Sequence, residues 1–271
     1  MKICLDAGHY GKYNQSPCNK NYYESEMTWK LHLLLKKHLE AYGVKVITTR
    51  YEQAKDLALS SRGQKAKGCD LFISLHSNAV GSSVDESVDY PIVYVPVTGK
   101  ADELGKKLAE SIASVMGTKQ KGQSKSKKGN NGDWYGVMRG SASVGVAGLL
   151  IEHSFHTNTR ATNWLLIDAN LEKLAKAEAD VIAKHYGLEK SAQSESMAST
   201  SDFKPYKVKV ITTSLNIRKT PIWDASDVVG TILDKGVYTI VDETMLGDTK
   251  FGKLKSGKGW ISLGSKYVTK V

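Results

Sequence analysis

Short apolar, often β-branched runs at residues 2–6, 44–49, 70–75, 90–97 and 148–152 alternate with helical periodicity at 27–42, 56–67, 101–116 and 171–185. Strand-length runs separated by helices that can cross back over a sheet predict a layered α/β unit with a largely parallel sheet. Gly187, just past the last helical stretch, is a C-terminal stop signal.

The pattern then changes twice. Residues 191–202 are small and polar without periodicity, which predicts a flexible linker. Beyond them, apolar runs at 206–213, 228–233, 237–242 and 259–263 are separated by turn signals such as Asp234-Lys235-Gly236 and Ser256-Gly257-Lys258-Gly259, with no helical stretch. A small all-β barrel is the expected result. The predicted organisation is therefore an α/β domain over 1–190, a linker over 191–202 and an all-β domain over 203–271.

A length of 271 residues supports two such domains. The net charge of +10 is divided evenly, five on each side of Glu195, so the shorter part is the more basic per residue. That balance favours an acidic partner such as nucleic acid, a membrane face or an anionic wall polymer. Lysines crowd residues 119–128 ahead of Trp134, as either a solvated loop or a basic rim for an anionic polymer. No aromatic platform is interleaved with them, which argues against nucleic acid.

Three cysteines, Cys4, Cys18 and Cys69, are too few and too irregular for a disulfide framework, and Cys4 and Cys69 read as small buried hydrophobes. Met1-Lys2 leads directly into a short apolar strand, so no signal peptide is expected, and no apolar run is long enough to span a bilayer. The expectation is a chain made in the cytoplasm that reaches an extracellular substrate by another route.

The candidate chemistry sits at strand ends. His9 closes the first apolar run and His76 the third. Either alone reads as a structural hydrogen-bonding histidine; both at strand tips, where open α/β sheets bind ligands, point to a metal. A third ligand is sought at the start of the 27–42 helix, whose apolar stripe is Met27, Leu31, Leu34, Leu35 and Leu39. Glu24, three residues before Met27 and seven before Leu31, shares that buried face. Glu26 falls opposite, four residues before Lys30, the spacing of an exposed ion pair. Two imidazoles and one carboxylate leave a fourth position for water, as in hydrolytic zinc sites. The run Leu149-Leu150-Ile151 ends on Glu152, a candidate general base; the alternative is an ion pair with Arg139 or Arg160.

These segments resemble, in order, the signatures of zinc-dependent N-acetylmuramoyl-L-alanine amidases of the Amidase-3 type. They are Asp6-Ala7-Gly8-His9, the Glu24 helix, Val46-Ile47-Thr48-Thr49-Arg50, residues 59–62, Ser74-Leu75-His76-Ser77-Asn78-Ala79 and the run from Leu150 to Asn158. The resemblance covers about residues 1–190 and implies a twisted mixed sheet flanked by helices. It further implies zinc on His9, Glu24 and His76, a catalytic Glu152, and cleavage of the amide between N-acetylmuramic acid and L-alanine. Asn78 and His156 are candidate substrate contacts. The sequence departs from the family at Val88-Asp89-Tyr90-Pro91 and at His153, where a small or apolar residue is common; His153 should point away from Glu152 and is read as structural.

Leu215-Asn216-Ile217-Arg218 and Gly259-Trp260-Ile261-Ser262 are similar to bacterial SH3-like wall-binding domains. Trp260 reads as core, with Tyr206, Trp223 and Phe251 as candidate wall contacts. An amidase joined to such a module resembles a phage endolysin, made in the host cytoplasm and acting on peptidoglycan after release. Two rivals are a thiol hydrolase, for which Cys18 lies in a Pro-Cys-Asn loop without a helix start, and a non-catalytic wall-binding protein. Met197 is a candidate internal start that would release the C-terminal module, able to associate with the full chain.

Overall fold

In the computed structural model, which describes residues 1–190, 203–221, 223, 227–246 and 249–271, the chain divides into two compact units. The first comprises Met1–Arg50 and the chain from Ala54 through its last helix; the second comprises the strands that follow, together with Tyr51–Gln53. The expected linker and Met197 lie outside the described residues. Among the described residues no helix is long and apolar enough to cross a membrane.

The first unit is built on strands β1 (Lys2–Ala7), β2 (Lys45–Thr48), β3 (Leu71–Asn78), β4 (Ile92–Tyr94), β5 (Gln123–Lys125) and β8 (Gly148–Phe155). A hairpin, β6 (Lys128–Gly129) and β7 (Gly132–Asp133), lies outside that sheet. The sheet order is β2-β1-β3-β8-β4-β5; the first four run parallel, and β4, with β5 parallel to it, runs antiparallel to β8. The sheet is therefore mixed. β5 arises inside the lysine-rich stretch, where alternation of lysines with Gln and Ser hides an edge strand that buries little.

Strand period 2 sends alternate side chains to two different cores. Ile3, Leu5, Leu71, Ile73, Leu75, Leu149 and Ile151 pack with α1 (Glu24–Glu40), α3 (Asp102–Met116) and α6 (Asp168–His185). Cys4, Phe72 and Leu150 face the opposite layer, with α4 (Gly136–Ser143) and Tyr94. Continuing that alternation puts Asp6, Ser74, His76 and Glu152 on the second face. Helices α2 (Leu59–Gln64) and α5 (Thr159–Leu165) complete the unit. α2 is shorter than the expected 56–67, and α4 and α5 are too short to show a helical period.

One local expectation gives way. Lys30 pairs with Asp168 at 2.8 Å rather than with Glu26, because the N-terminus of α6 lies alongside α1 and offers a carboxylate there. His153 does point away from Glu152: it is fully buried, with Nε2 at 2.7 Å from Glu178 Oε1 on α6 and Nδ1 at 2.8 Å from the His76 carbonyl.

The second unit is a seven-stranded antiparallel sheet of order β11-β10-β14-β13-β12-β9-β15. Its strands are β9 (Tyr206–Val210), β10 (Leu215–Arg218), β11 (Val228–Ile232), β12 (Val237–Leu246), β13 (Thr249–Leu254), β14 (Trp260–Ser262) and β15 (Val268–Lys270). Val208, Val210, Ile217, Ile240 and Ile261 form its core. Phe251 is fully buried, which removes it from the candidate wall contacts. Trp260, expected in the core, is only half-buried, with the Lys253 ammonium 5.8 Å from its ring.

α2 and α4 meet at backbone distance. A Cβ on Gly63 would lie 2.0 Å from the Val137 carbonyl oxygen, and one on Gly140 2.3 Å from that of Ser60. Gly140→Ala must therefore push the helices apart and is expected to cost about 1–3 kcal/mol, read as a lower urea midpoint at unchanged slope.

Candidate metal centre

Three neighbouring parallel strands, β1, β3 and β8, bring His9, His76 and Glu152 to one edge of the sheet. β1 ends at Ala7, so His9 stands two residues beyond it in a turn, with φ of 58°. His76 lies inside β3, which continues to Asn78, and is register-paired with Glu152. Gly8 is required where the two histidines converge, since a Cβ there would lie 2.4 Å from His76 Cε1 and 2.6 Å from the Leu75 carbonyl oxygen.

Glu24 opens α1, where the N-terminal dipole favours a carboxylate. Only 1% of the residue is exposed. Oε1 lies 2.9 Å from His76 Nδ1 and 3.0 Å from the Ser77 N–H; Oε2 lies 3.2 Å from His9 Nε2 and accepts from Asn14 Nδ2 at 2.7 Å. Burial pushes this carboxyl up, but the hydrogen bonds and charge of His76 and His9 prevail and hold it well below the usual carboxylate range. Glu26, by contrast, is half-buried and outside the cluster.

One ligand atom from each of His9, Glu24 and His76 lies within 4.8 Å of the others. Two imidazole nitrogens and one carboxylate oxygen form the donor set of a hydrolytic zinc site, and the residues fit that ion.

A surrounding shell fixes the donors. Ser74 Oγ donates to Asp6 Oδ2 at 2.8 Å and lies 3.1 Å from His76 Nε2. With its single proton committed to Asp6, that hydroxyl accepts from Nε2–H, which leaves Nδ1 as the nitrogen that could hold an ion. Buried Arg50 and Arg62 both donate to the carbonyls of Ala7 and His9, and Arg62 lies 3.5 Å from Asp6. They hold the left-handed turn that aims the His9 ring. Tyr13 stacks on that ring at 5.0 Å with an interplanar angle of 9°.

Glu152 is 7% exposed, and its Oε2 has no hydrogen-bond partner among the described residues. Burial, then the charge of Glu24, push its carboxyl well above the usual range, while Lys127 opposes the shift. Neither arginine considered as a partner reaches it. Arg160 pairs with buried Asp89 at 2.6 Å, and Arg139 donates to the carbonyls of Asp133 and Trp134. Asp89 also accepts from Ser154, whose φ of 70° re-aims the chain two residues after Glu152.

His156 is buried behind Glu24, with Nδ1 4.0 Å from Oε2 and 3.0 Å from both the oxygen and Oγ of Ser77. Asn78 is half-buried at the end of β3; its carbonyl accepts from the His156 N–H and its side chain from the Ala79 N–H. Asn14 and Tyr13 carried no sequence signal of their own, and Ser74 stood inside a recognised segment without a role. Arg50 and Arg62 stood inside recognised segments without a role.

The chain is 29% identical over 195 residues to the N-acetylmuramoyl-L-alanine amidase CwlM of Bacillus licheniformis, covering 71% of each chain. It is 26% identical over 198 residues to the sporulation-specific N-acetylmuramoyl-L-alanine amidase of Bacillus subtilis, covering 72% of this chain and 71% of that one. The catalytic domain of CwlV from Bacillus (Paenibacillus) polymyxa shares the fold, with a TM-score of 0.58 at 19% identity over 69% of this chain and 99% of that one. Residues 3–184 match the Amidase-3 family, and the chain thus belongs to the N-acetylmuramoyl-L-alanine amidases and with them to the peptidoglycan hydrolases.

Proposed function

We propose that the first unit is a zinc hydrolase that cleaves the amide between N-acetylmuramic acid and L-alanine. One observation carries this reading: the only described cluster suited to a metal, His9, Glu24 and His76, stands beside a buried carboxylate with an unpartnered oxygen, Glu152.

Zinc held there would polarise the amide carbonyl and lower the pKa of water to about 7. Glu152 takes the proton of the attacking water on its carboxylate and delivers it to the leaving nitrogen. The raised affinity of that carboxyl for a proton suits it to hold one between the two transfers. Asp6 and Ser74 would keep Nδ1 of His76 turned to a bound ion, and Arg50 and Arg62 would keep His9 in place. Against a thiol mechanism, Cys4 and Cys69 are buried and burial pushes both thiols up, opposite to what a nucleophile needs, and the half-buried Cys18 lies in the loop ahead of α1 rather than at a helix start.

The second unit is assigned as an SH3-like module that holds the enzyme on an anionic wall polymer, in the manner of an endolysin. A concavity of about 670 Å³ supports this, lined by Tyr206, Trp223 and Tyr267 together with Lys250, Lys266 and Lys270. Lys270 and Lys266 lie 4.4 Å and 4.8 Å from the rings of Tyr206 and Tyr267.

Digestion of purified peptidoglycan should release stem-peptide amino termini without new reducing sugars; new reducing ends would overturn the amidase assignment. A chelator should abolish this activity and a thiol-alkylating reagent leave it. Ser74→Ala should weaken zinc affinity about 10- to 100-fold in a chelator competition, because the tautomer of His76 is no longer fixed.

Glu152→Gln should lower kcat by about 10²- to 10⁴-fold with zinc retained. Its effect on stability has a definite sign. The folded-state pKa lies above the unfolded value of 4.5, so the protonated carboxyl stabilises the fold fully below that pH and the benefit is lost as pH rises. The metal-free Gln variant should accordingly melt above metal-free wild type at neutral pH, and the gap should close in acid.

A further inference from the structure

Of the five tryptophans only Trp134 is exposed, at 55%. It directly follows β7 in a tightly pinned segment. Its N–H donates to the Lys127 carbonyl at 2.8 Å, and its own carbonyl and that of Asp133 accept from Arg139. The buried Asp133 carboxylate accepts from the Val97 N–H at 2.8 Å. The backbone is fixed while the indole stands in water, an arrangement that sacrifices burial.

The ammonium of Lys127 lies 4.6 Å from the Trp134 ring centroid and 5.8 Å from that of Tyr135. Tyr135 packs on Tyr94 at 4.8 Å; Tyr94 stands on β4, where Ile92, two residues earlier, is the register partner of Glu152. The hairpin thus rims the face that carries Glu152. Among the described residues no acidic group lies within ion-pair distance of Lys119, Lys121, Lys125, Lys127 or Lys128. An exposed aromatic face beside uncompensated cations recognises a ligand with both an apolar face and negative charge. A sugar ring bearing an acidic peptide has both.

We propose that the β6–β7 hairpin is a substrate subsite, in which Trp134 takes the C–H face of a sugar ring and Lys127 pairs with a carboxylate of the attached peptide. This rests on the amidase reading and extends it to substrate selection. The ammonium already set against two aromatic rings is oriented before substrate arrives, so little side-chain freedom remains to be lost on binding.

The test uses the full-length zinc-loaded protein and two soluble peptidoglycan fragments, one with free peptide carboxylates and one with those carboxylates amidated. Trp134→Ala should raise KM about 3- to 10-fold on both fragments, with Trp134→Tyr restoring most of the loss. Lys127→Gln should raise KM on the free-carboxylate fragment alone, the effect fading with added salt, and Lys127→Arg should rescue it. Unchanged KM in Trp134→Ala, or equal losses on both fragments in Lys127→Gln, would overturn the subsite. So would variants that lose only adsorption to walls bearing phosphate polymers. Failure of the wild-type protein to release stem-peptide amino termini would instead count against the amidase reading itself.

Discussion

A carboxylate withdrawn from water at a helix start is the constraint on which this site depends. Removing an ionised Glu24 from solvent costs several kcal/mol unless its lone pairs are met by donors or a cation. The chain meets them with four groups: His9 beyond β1, Asn14 in the following loop, and His76 and the Ser77 N–H on β3. Each can arrive only if β1, β3 and α1 hold their relative positions, so the same demand that orders the carboxylate orders the sheet edge around it. The groups that satisfy Glu24 include the two that would share an ion with it.

A second layer of buried polarity keeps that edge rigid. Asp6 accepts from Thr49 and Ser74, and two guanidiniums beside it donate to the carbonyls of the turn leading to His9. Burial, and then the neighbouring Arg62, lower the Arg50 pKa to about 10, leaving it charged at neutral pH. Such a network is costly if any member is lost, and it is positioned to hold ring orientation and tautomer. Glu152 is treated in the opposite way. It is buried with its Oε2 lacking a hydrogen-bond partner among the described residues and is raised in proton affinity, which is destabilising for folding and useful for proton transfer.

Much of this was legible in the chain. Alternation of strand and helix patterns gives the layered α/β unit, and the apolar stripe of α1 selects Glu24 over Glu26 because a 3.6-residue period fixes which side chains share a face. His9, His76 and Glu152 stand out as polar residues ending apolar runs. The change in pattern after residue 202 separates an all-β unit. Regular side-chain periods encode these features locally.

What only the tertiary structure decided are the relations between segments distant in sequence. That β4 runs antiparallel to β8, that Lys30 turns to Asp168, that Arg139 and Arg160 leave Glu152 alone, and that Phe251 is buried all depend on which element lies opposite which. The lysine-rich stretch shows the same limit. Its composition marks it as basic and solvated, but only the hairpin places Lys127 against Trp134 on the face of Glu152. A sequence pattern fixes the direction a side chain takes from its own backbone, whereas its partner is fixed by the packing of the whole chain.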